Sequence, residues 1–373
     1  MKVMTIVGTR PELIRLSRVI AKLDETVDHV LVHTGQNYDY TLNEIFFEEL
    51  GIRRPDHLLG VDTSSLGTVL GETLIKTEEV LNLEKPDAVL VLGDTNSCIA
   101  ALMAKRMRIP VYHMEAGNRC FDDRVPEETN RRMVDHVADF NLVYTEHARR
   151  NLLAEGLPAN RIVLTGSPLR EVLTYYRPAI DASPILDELG LAPGGYFLAS
   201  VHRQENVDVP RRLAAVMDSL AAVSDRWQLP VLVSTHPRTR ARMEALDNWI
   251  PGQSLRFHKP FGFFAYNQLQ RNARCVLSDS GSISEESSIL RFPAITLRSA
   301  IERPEFIDAG GIVTTDVYEP EVTVGIQATL RSADLGDGPP DVGAYRIENT
   351  SERVSRFILS STRRHKEWLA RED

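Results

Sequence analysis

VLSDSGSISEESSILRFPAI, residues 276–295, is the stretch on which the reading of the fold rests. Cys275, Val276 and Leu277 make a short apolar run of the kind a buried strand shows. Ser278 to Ser282 then turn at Gly281, and from Ser284 on, with Glu285 and Glu286, the pattern predicts a helix. A strand feeding a small-residue turn and a helix N-terminus makes an anion site, because unsatisfied N–H groups and the helix dipole meet at one point. Two acids in the first turn complement the dipole, and a carboxylate beside a phosphate site also suits ribose hydroxyls. A plain capped helix after a strand has the same pattern, since Gly/Ser turns commonly open helices. Arg298, Glu302, Arg303 and Pro304 follow the next apolar strand and favour the anion reading, because they bring guanidinium groups to the same strand end.

Around this stretch the second half of the chain alternates strand and helix. Tyr196 to Val201 predicts a strand ending in His202-Arg203-Gln204-Glu205-Asn206, Arg211 to Val223 a helix, and Pro230 to Ser234 a strand ending in Thr235-His236-Pro237-Arg238. Arg256 to His258 is short and extended, Ala294 to Leu297 is expected to be a long strand, and Gly311 to Thr314 another. His202 and His236 both fall at strand carboxyl ends. A lone histidine is more often structural or exposed, but two at equivalent places in one sheet point to ligand contact. Phe261, Phe263, Phe264 and Tyr266 are either core or, standing just before the anion turn, a surface for a base.

The first half has the same rhythm. Val3 to Val7 is strand-like and runs into Gly8-Thr9-Arg10-Pro11-Glu12, followed by a helix with Leu13, Leu16, Val19, Ile20 and Leu23 at helical spacing. Pro11 suits the first helical turn, and Arg10 sits at a strand's carboxyl end, where open α/β sheets bind ligands. No GxGxxG supports a dinucleotide fingerprint. His29 to Thr34, Pro86 to Leu92 and Pro110 to Met114 are further strands. They run into Gly35-Gln36-Asn37, Gly93-Asp94-Thr95 and Glu115-Ala116-Gly117. The alternation implies a parallel sheet with right-handed crossovers. Asp94 and Glu115 directly follow the strand or its turn, and Glu127 and Glu128 open the next helical stretch, with Arg119, Arg124 and Arg131 interleaved. Any one acid could be a cap or a loop acid, but acids at successive strand ends converge, and sugar chemistry at carbon needs such acids and bases. A metal is the competing use of clustered carboxylates, and no DxD or HxxE spacing supports it.

Composition sets the outer limits. A chain of 373 residues is too long for one ordinary core and fits two domains. The Pro- and Ala-rich helical stretch from Pro168 to Pro193 places the boundary near residue 170. A net charge of −9 argues against a nucleic-acid binder. No apolar run approaches the roughly 18 residues a membrane span needs, and MKVMTIVGTRPE has no signal-peptide cleavage region. Cys98, Cys120 and Cys275 lack the spacing of a zinc site or a disulfide scaffold, so the expected location is cytoplasmic. The fold class expected is α/β, with two Rossmann-like doubly wound domains facing a cleft.

Taken in order, Gly8-Thr9-Arg10-Pro11-Glu12, Gly93-Asp94-Thr95, Glu115-Ala116-Gly117, Pro126-Glu127-Glu128-Thr129-Asn130-Arg131, His202-Arg203-Gln204-Glu205, Asp279-Ser280-Gly281 with Glu285-Glu286, and Glu302-Arg303-Pro304-Glu305 span almost the whole chain. In these motifs the sequence resembles the non-hydrolysing UDP-N-acetylglucosamine 2-epimerases. The resemblance implies a glycosyltransferase-B type fold: domains over residues 1–170 and 171–350, a terminal helix over 351–373 packing back on the first, and a homodimer. It implies removal of the C2 proton with departure of UDP, a 2-acetamidoglucal, and re-addition of UDP after reprotonation on the other face. Acid/base work falls to Asp94, Glu115 and Glu127. His202 counts with the catalytic groups and, with Arg10, Ser280, Gly281, Ser282, Glu286 and Arg303, among those that hold UDP. Tyr266 lies near uracil, and Arg15, Gln36, Arg131 and His236 complete the substrate contacts. The partners implied are a UDP-N-acetylamino sugar and UDP, with no cofactor and no metal.

Three departures from the family pattern stand out. The usual Lys five residues after Arg10 is Arg15, the usual second Gly of the phosphate turn is Ser282, with a less free backbone expected there, and the usual Gln-His pair is Gln36-Asn37. The last of these departs from the allosteric UDP-GlcNAc site of some bacterial members. Ser167-Pro168, Cys120-Phe121-Asp122 and Ser284 to Ser288 look closer to the branch that forms UDP-N-acetyl-L-fucosamine for capsule and O-antigen pathways. The alternatives are a UDP-GlcNAc/UDP-ManNAc 2-epimerase, a UDP-sugar glycosyltransferase, or a sugar-nucleotide sensor.

Overall fold

A computed structural model describes residues 1–35, 46–123, 125–244, 254–298 and 302–368, and the chain in it divides into two compact units. The first is Met1–Tyr175 with the chain from Ala344 on, and the second is Tyr176–Gly343. The crossings fall at Tyr175–Tyr176 and Gly343–Ala344. Leu169, Val172 and Leu173 of the helix Leu169–Tyr175 are buried, so this helix belongs to the first unit. The helical stretch expected over 168–193 is three short helices, Leu169–Tyr175, Arg177–Asp181 and Ile185–Glu188. Pro178 and Pro184 stand at the starts of the last two, where proline is tolerated.

Among the described residues the first unit has a parallel sheet built from β1 (Lys2–Val7), β2 (Asp28–His33), β3 (His57–Leu58), β4 (Ala88–Leu92), β5 (Val111–Met114), β6 (Phe140–Val143) and β7 (Ile162–Leu164). Its order is β3-β2-β1-β4-β5-β6-β7. Strands such as AVLVL are buried at every position, as a sheet covered on both faces requires. The helix Arg10–Thr26 buries Leu13, Leu16, Val19, Ile20 and Leu23, one face at helical spacing. The terminal helix Thr350–Ser361 also belongs here. Phe357 meets Phe140 edge-on at 5.2 Å, and the Tyr112 hydroxyl lies 2.7 Å from Ser361 Oγ.

The second unit holds β8 (Phe197–Ser200), β9 (Val231–Ser234), β10 (Leu255–His258), β11 (Val276–Ser278), β12 (Ala294–Thr296) and β13 (Val313–Thr314). Its order, β10-β9-β8-β11-β12-β13, is also parallel. The strand expected to be long at 294–297 is three residues. Both sheets reverse direction of strand addition beside their first strand, between β1 and β4 and between β8 and β11, and such switch points bind ligands at strand carboxyl ends.

Two residues after β5 carry positive φ, Glu115 at 66° and Gly117 at 79°. A Cβ on Gly117 would stand 2.3 Å from the Ala148 carbonyl oxygen and 2.9 Å from Leu152 Cγ. Gly117→Ala therefore meets both a left-handed backbone and a clash with backbone. It is expected to cost at least about 2 kcal/mol, read as a lowered urea midpoint.

Candidate active site

The candidate site residues cluster near the two switch points. In the first unit, Asp94 accepts a hydrogen bond from Arg131 Nε at 2.9 Å and is also paired with Arg131 Nη2. Arg131, itself buried, reaches Glu128 Oε2 at 3.2 Å through Nη1. Asn130 Nδ2 donates to the Asp94 carbonyl at 2.9 Å, so the helix Pro126–Val137 holds both the backbone and the side chain of Asp94. Glu115 accepts from Asn118 Nδ2 at 3.2 Å and lies 3.7 Å from Arg15 Nη1. The Arg15 guanidinium stands 5.8 Å over the Tyr144 ring. Arg10, the first residue of its helix, has its guanidinium 5.5 Å over Phe46.

The adjacent acids Glu127 and Glu128 part company. Glu128 is buried and takes the Cys120 N–H at 3.2 Å and the Arg132 guanidinium at 3.0 Å. Burial pushes its carboxyl up, but the Cys120 donors and the Arg131 and Arg132 charges outweigh that and hold it below its ordinary value. Glu127 is half-buried and is paired with no other described side chain. Arg119, expected among the interleaved cations, instead sits on Asp135 at 2.7 Å and Glu155 at 2.7 Å. Asp135 also receives the Gly117 N–H and His113, whose other ring nitrogen lies 2.8 Å from the Gly93 carbonyl. Gln36 and Arg124 lie outside the described residues.

In the second unit, Asp279 is fully buried and receives the backbone N–H groups of His202 at 3.1 Å and Arg203 at 2.9 Å, with Asn206 Nδ2 at 3.1 Å. His202 Nδ1 is 3.2 Å from the same carboxylate, and the side chain is otherwise exposed. Ser280, Ser282 and Glu286 form a chain: Ser280 Oγ to Ser282 Oγ at 3.0 Å, then Ser282 Oγ to Glu286 Oε1 at 2.7 Å. Buried Gln270 holds the other Glu286 oxygen at 2.5 Å. The Tyr266 hydroxyl bonds with Ser200, and burial with the nearby Glu286 charge pushes the phenol above its ordinary value. Arg303 is buried against Glu285, with Nε to Oε1 at 2.7 Å, so it pairs with the neighbour of Glu286. His236 stands after β9, where its Nδ1 lies 3.3 Å from the Arg238 N–H.

Gly281 does not need glycine for its φ, which is not in the left-handed region. It needs the space: a Cβ there would stand 3.2 Å from Glu302 Oε2, 3.5 Å from Arg298 Nη1 and 3.6 Å from Arg203 Nη2. Ser282 has φ −86° and ψ −12°, an ordinary helical conformation, so a serine stands there without strain.

One residue escaped the sequence reading as more than a motif letter. Glu12 is 2 % exposed, and its Oε2 accepts from Gly8 N at 3.1 Å, Thr9 Oγ1 at 2.6 Å and Thr95 Oγ1 at 3.1 Å. Its Oε1 accepts from Ser97 Oγ at 2.5 Å. The signal was the Thr9-Arg10-Pro11-Glu12 spacing of a capping box. Among the described residues no group of three or more His, Cys, Asp or Glu is placed to hold a metal ion. No described helix is long and apolar enough to cross a membrane.

A family model described as UDP-N-acetylglucosamine 2-epimerase matches residues 21–359. The chain belongs to that family. A solved UDP-N-acetylglucosamine 2-epimerase from Rickettsia bellii is 44% identical, with a TM-score of 0.90 and 98% of each chain covered. The Methanocaldococcus jannaschii UDP-GlcNAc 2-epimerase, solved in complex with UDP-GlcNAc and UDP, is 32% identical with a TM-score of 0.90, covering 96% of this chain and 100% of that one. A UDP-2,3-diacetamido-2,3-dideoxy-D-glucuronate 2-epimerase from Pseudomonas aeruginosa is 35% identical over 96% of this chain and 99% of its own length. The epimerase is an isomerase with two parallel-sheet units of the glycosyltransferase-B type.

The position of Glu12 makes stability depend on pH in a stated direction. Burial raises its carboxyl from 4.5 to about 7, against the four donors that lower it. The folded state thus binds this proton more tightly than the unfolded one. The group's contribution is complete below about pH 4.5 and is lost as pH rises through about 7. His33, buried and lowered to about 4, acts in the opposite sense over nearly the same range, so the wild type alone will not isolate Glu12. The stability of Glu12→Gln relative to wild type should rise by roughly 3 kcal/mol at most between pH 5 and pH 8, measured by urea unfolding.

Proposed function

We propose that this epimerase inverts C2 of a UDP-2-acetamido sugar without hydrolysis, by eliminating UDP to a 2-acetamidoglucal and adding it back. The observation that carries the reading is the set Asp94, Glu115 and Glu127 on successive elements of one unit, with Arg131 on Asp94 and Arg15 beside Glu115. One carboxylate takes the C2 proton and another returns a proton to the opposite face, which needs two groups in different protonation roles. The Ser280–Ser282 turn and the helix Ile283–Leu290 offer N–H donors to the diphosphate, joined by Arg10, His202 and Arg303, which stabilise charge on departing UDP. Glu286 takes the ribose and Tyr266 lies near uracil, while Arg15, Gln36, Arg131 and His236 serve the sugar and phosphates.

For the product, UDP-N-acetyl-L-fucosamine is the reading supported by Cys120-Phe121-Asp122, Ser167-Pro168 and Ser284 to Ser288. UDP-GlcNAc/UDP-ManNAc epimerisation is the second reading, favoured by the names of the Rickettsia and Methanocaldococcus relatives. A glycosyltransferase or a silent sensor is disfavoured by the presence of all three carboxylates. The enzyme is proposed to act as a cytoplasmic homodimer feeding capsule or O-antigen synthesis. Incubation with UDP-GlcNAc and with the UDP-6-deoxy-L-talosamine derivative, read by NMR, decides between the two sugars.

Solvent deuterium should enter C2 of the product, and an unlabelled C2 in heavy water would rule out the elimination route. Asp94→Asn, Glu115→Gln and Glu127→Gln should each lower kcat at least about a hundredfold. Glu127→Gln is the cleanest of the three, because no described side chain loses a partner, and its stability should stay within about 0.5 kcal/mol of wild type. Wild-type turnover in all three variants would take the chemistry away from this cluster.

A further inference from the structure

The β1–β4 ladder ends at Ile6 and Val91, so the loop that leads to Arg10 and the loop that carries Asp94 run on beyond any backbone pairing between the two strands. Glu12 spans that gap. Two of its donors, Gly8 N and Thr9 Oγ1, belong to the loop after β1, and two, Thr95 Oγ1 and Ser97 Oγ, belong to the segment after β4. On the far side Asp94 is held by Asn130 and Arg131. We propose that Glu12 is a positioning residue for the C2 chemistry, a strap that fixes the Asp94 loop against the Arg10 loop. The inference rests on the reading of Asp94 as an acid/base group.

The need for a strap follows from the chemistry. A general acid or base works only within hydrogen-bond reach of its proton, and a displacement of about 1 Å can cost on the order of a hundredfold in rate. Asn130 and Arg131 come from one helix and constrain Asp94 from one side, and Glu12 supplies the constraint from the other. A carboxyl does this where an apolar residue would not, because four donors from two segments converge on two oxygens. A glutamine can nearly reproduce the pattern. Its carbonyl would take the place of Oε2, and its NH2 would donate to Ser97, whose own hydrogen would turn to Thr95 Oγ1, 2.8 Å away.

The test cuts the strap where it crosses between loops. The double variant Thr95→Val with Ser97→Ala leaves Glu12 bonded to Gly8 and Thr9 and removes its hold on the second segment. With the UDP-sugar that turns over, kcat should fall at least about tenfold, while KM and the calorimetric Kd for UDP stay within about threefold. In an Asp94→Asn background the same double change should cost less than about threefold more, because residues acting through one another are not additive. Glu12→Ala should resemble the double variant, and Glu12→Gln should restore most of the rate. If Glu12→Ala does not fold, the double variant alone decides. A folded double variant with wild-type kcat, or one whose loss is fully additive with Asp94→Asn, overturns the strap. If Asp94→Asn itself turns over normally, the assignment of Asp94 fails first, and the strap fails with it.

Discussion

Both sheets share one constraint: where the strand ladder stops, the polar groups just beyond it lose their ladder partners and must find others. In each unit a buried carboxylate at the switch point meets that demand. Glu12 comes from the helix after the first strand and reaches across to the fourth, taking Gly8 N, Thr95 and Ser97. Asp279 follows the fourth strand of the second sheet and reaches back to the first, taking His202 N, Arg203 N and Asn206. Burying a carboxylate without partners would cost several kcal/mol, and three or four charge-assisted bonds offset much of that cost. The direction of reach differs, but the physical solution is the same.

The same logic sorts the acids of the first unit. Asp135 and Glu128 are buried and hold the chain in place: Asp135 receives Gly117 N, Arg119 and His113, and Glu128 receives Cys120 N, Arg131 and Arg132. Asp94 meets the same network through Arg131, which also reaches Glu128, while Glu115 meets Asn118 and Arg15. Glu115 has a left-handed backbone, φ 66°, which a non-glycine residue adopts only where the surroundings impose it. Here Gly117, two residues on, has no room for a side chain and fixes the turn. The strain is carried at the carboxyl end of β5, beside the first sheet's switch point.

Much of this was legible in the chain. Buried runs such as AVLVL and helical spacing such as Leu13, Leu16, Ile20 and Leu23 gave strands and helices whose alternation sets a parallel sheet. The positions of the strand-end acids and of the Ser278–Ser282 turn were legible for the same reason, because position after an apolar run tells where a residue sits. What was not legible depended on contacts distant in sequence. The Thr9-x-x-Glu12 spacing matches a capping box, but the partners Thr95 and Ser97 follow β4, 83 and 85 residues on, and β4 neighbours β1 only in the folded sheet. Gly281 looked like a turn glycine, yet what it avoids is Glu302, Arg298 and Arg203, two of them supplied by a later segment and one by an earlier one.

Arg15 shows how a departure from a family pattern can follow from local packing. At this position a lysine would offer one compact charge on a flexible stem. The arginine places a planar fork 3.7 Å from Glu115 and at the same time lays its face over the buried Tyr144 ring at 5.8 Å. A guanidinium can satisfy both because it is planar and weakly hydrated, whereas an ammonium facing the carboxylate would leave the ring uncovered. Arg15 is 8 % exposed, so its charge is costly to bury unless a carboxylate such as that of Glu115 lies near. The substitution thus ties the charge of Glu115 to the packing of β5 and β6, since Tyr144 directly follows β6.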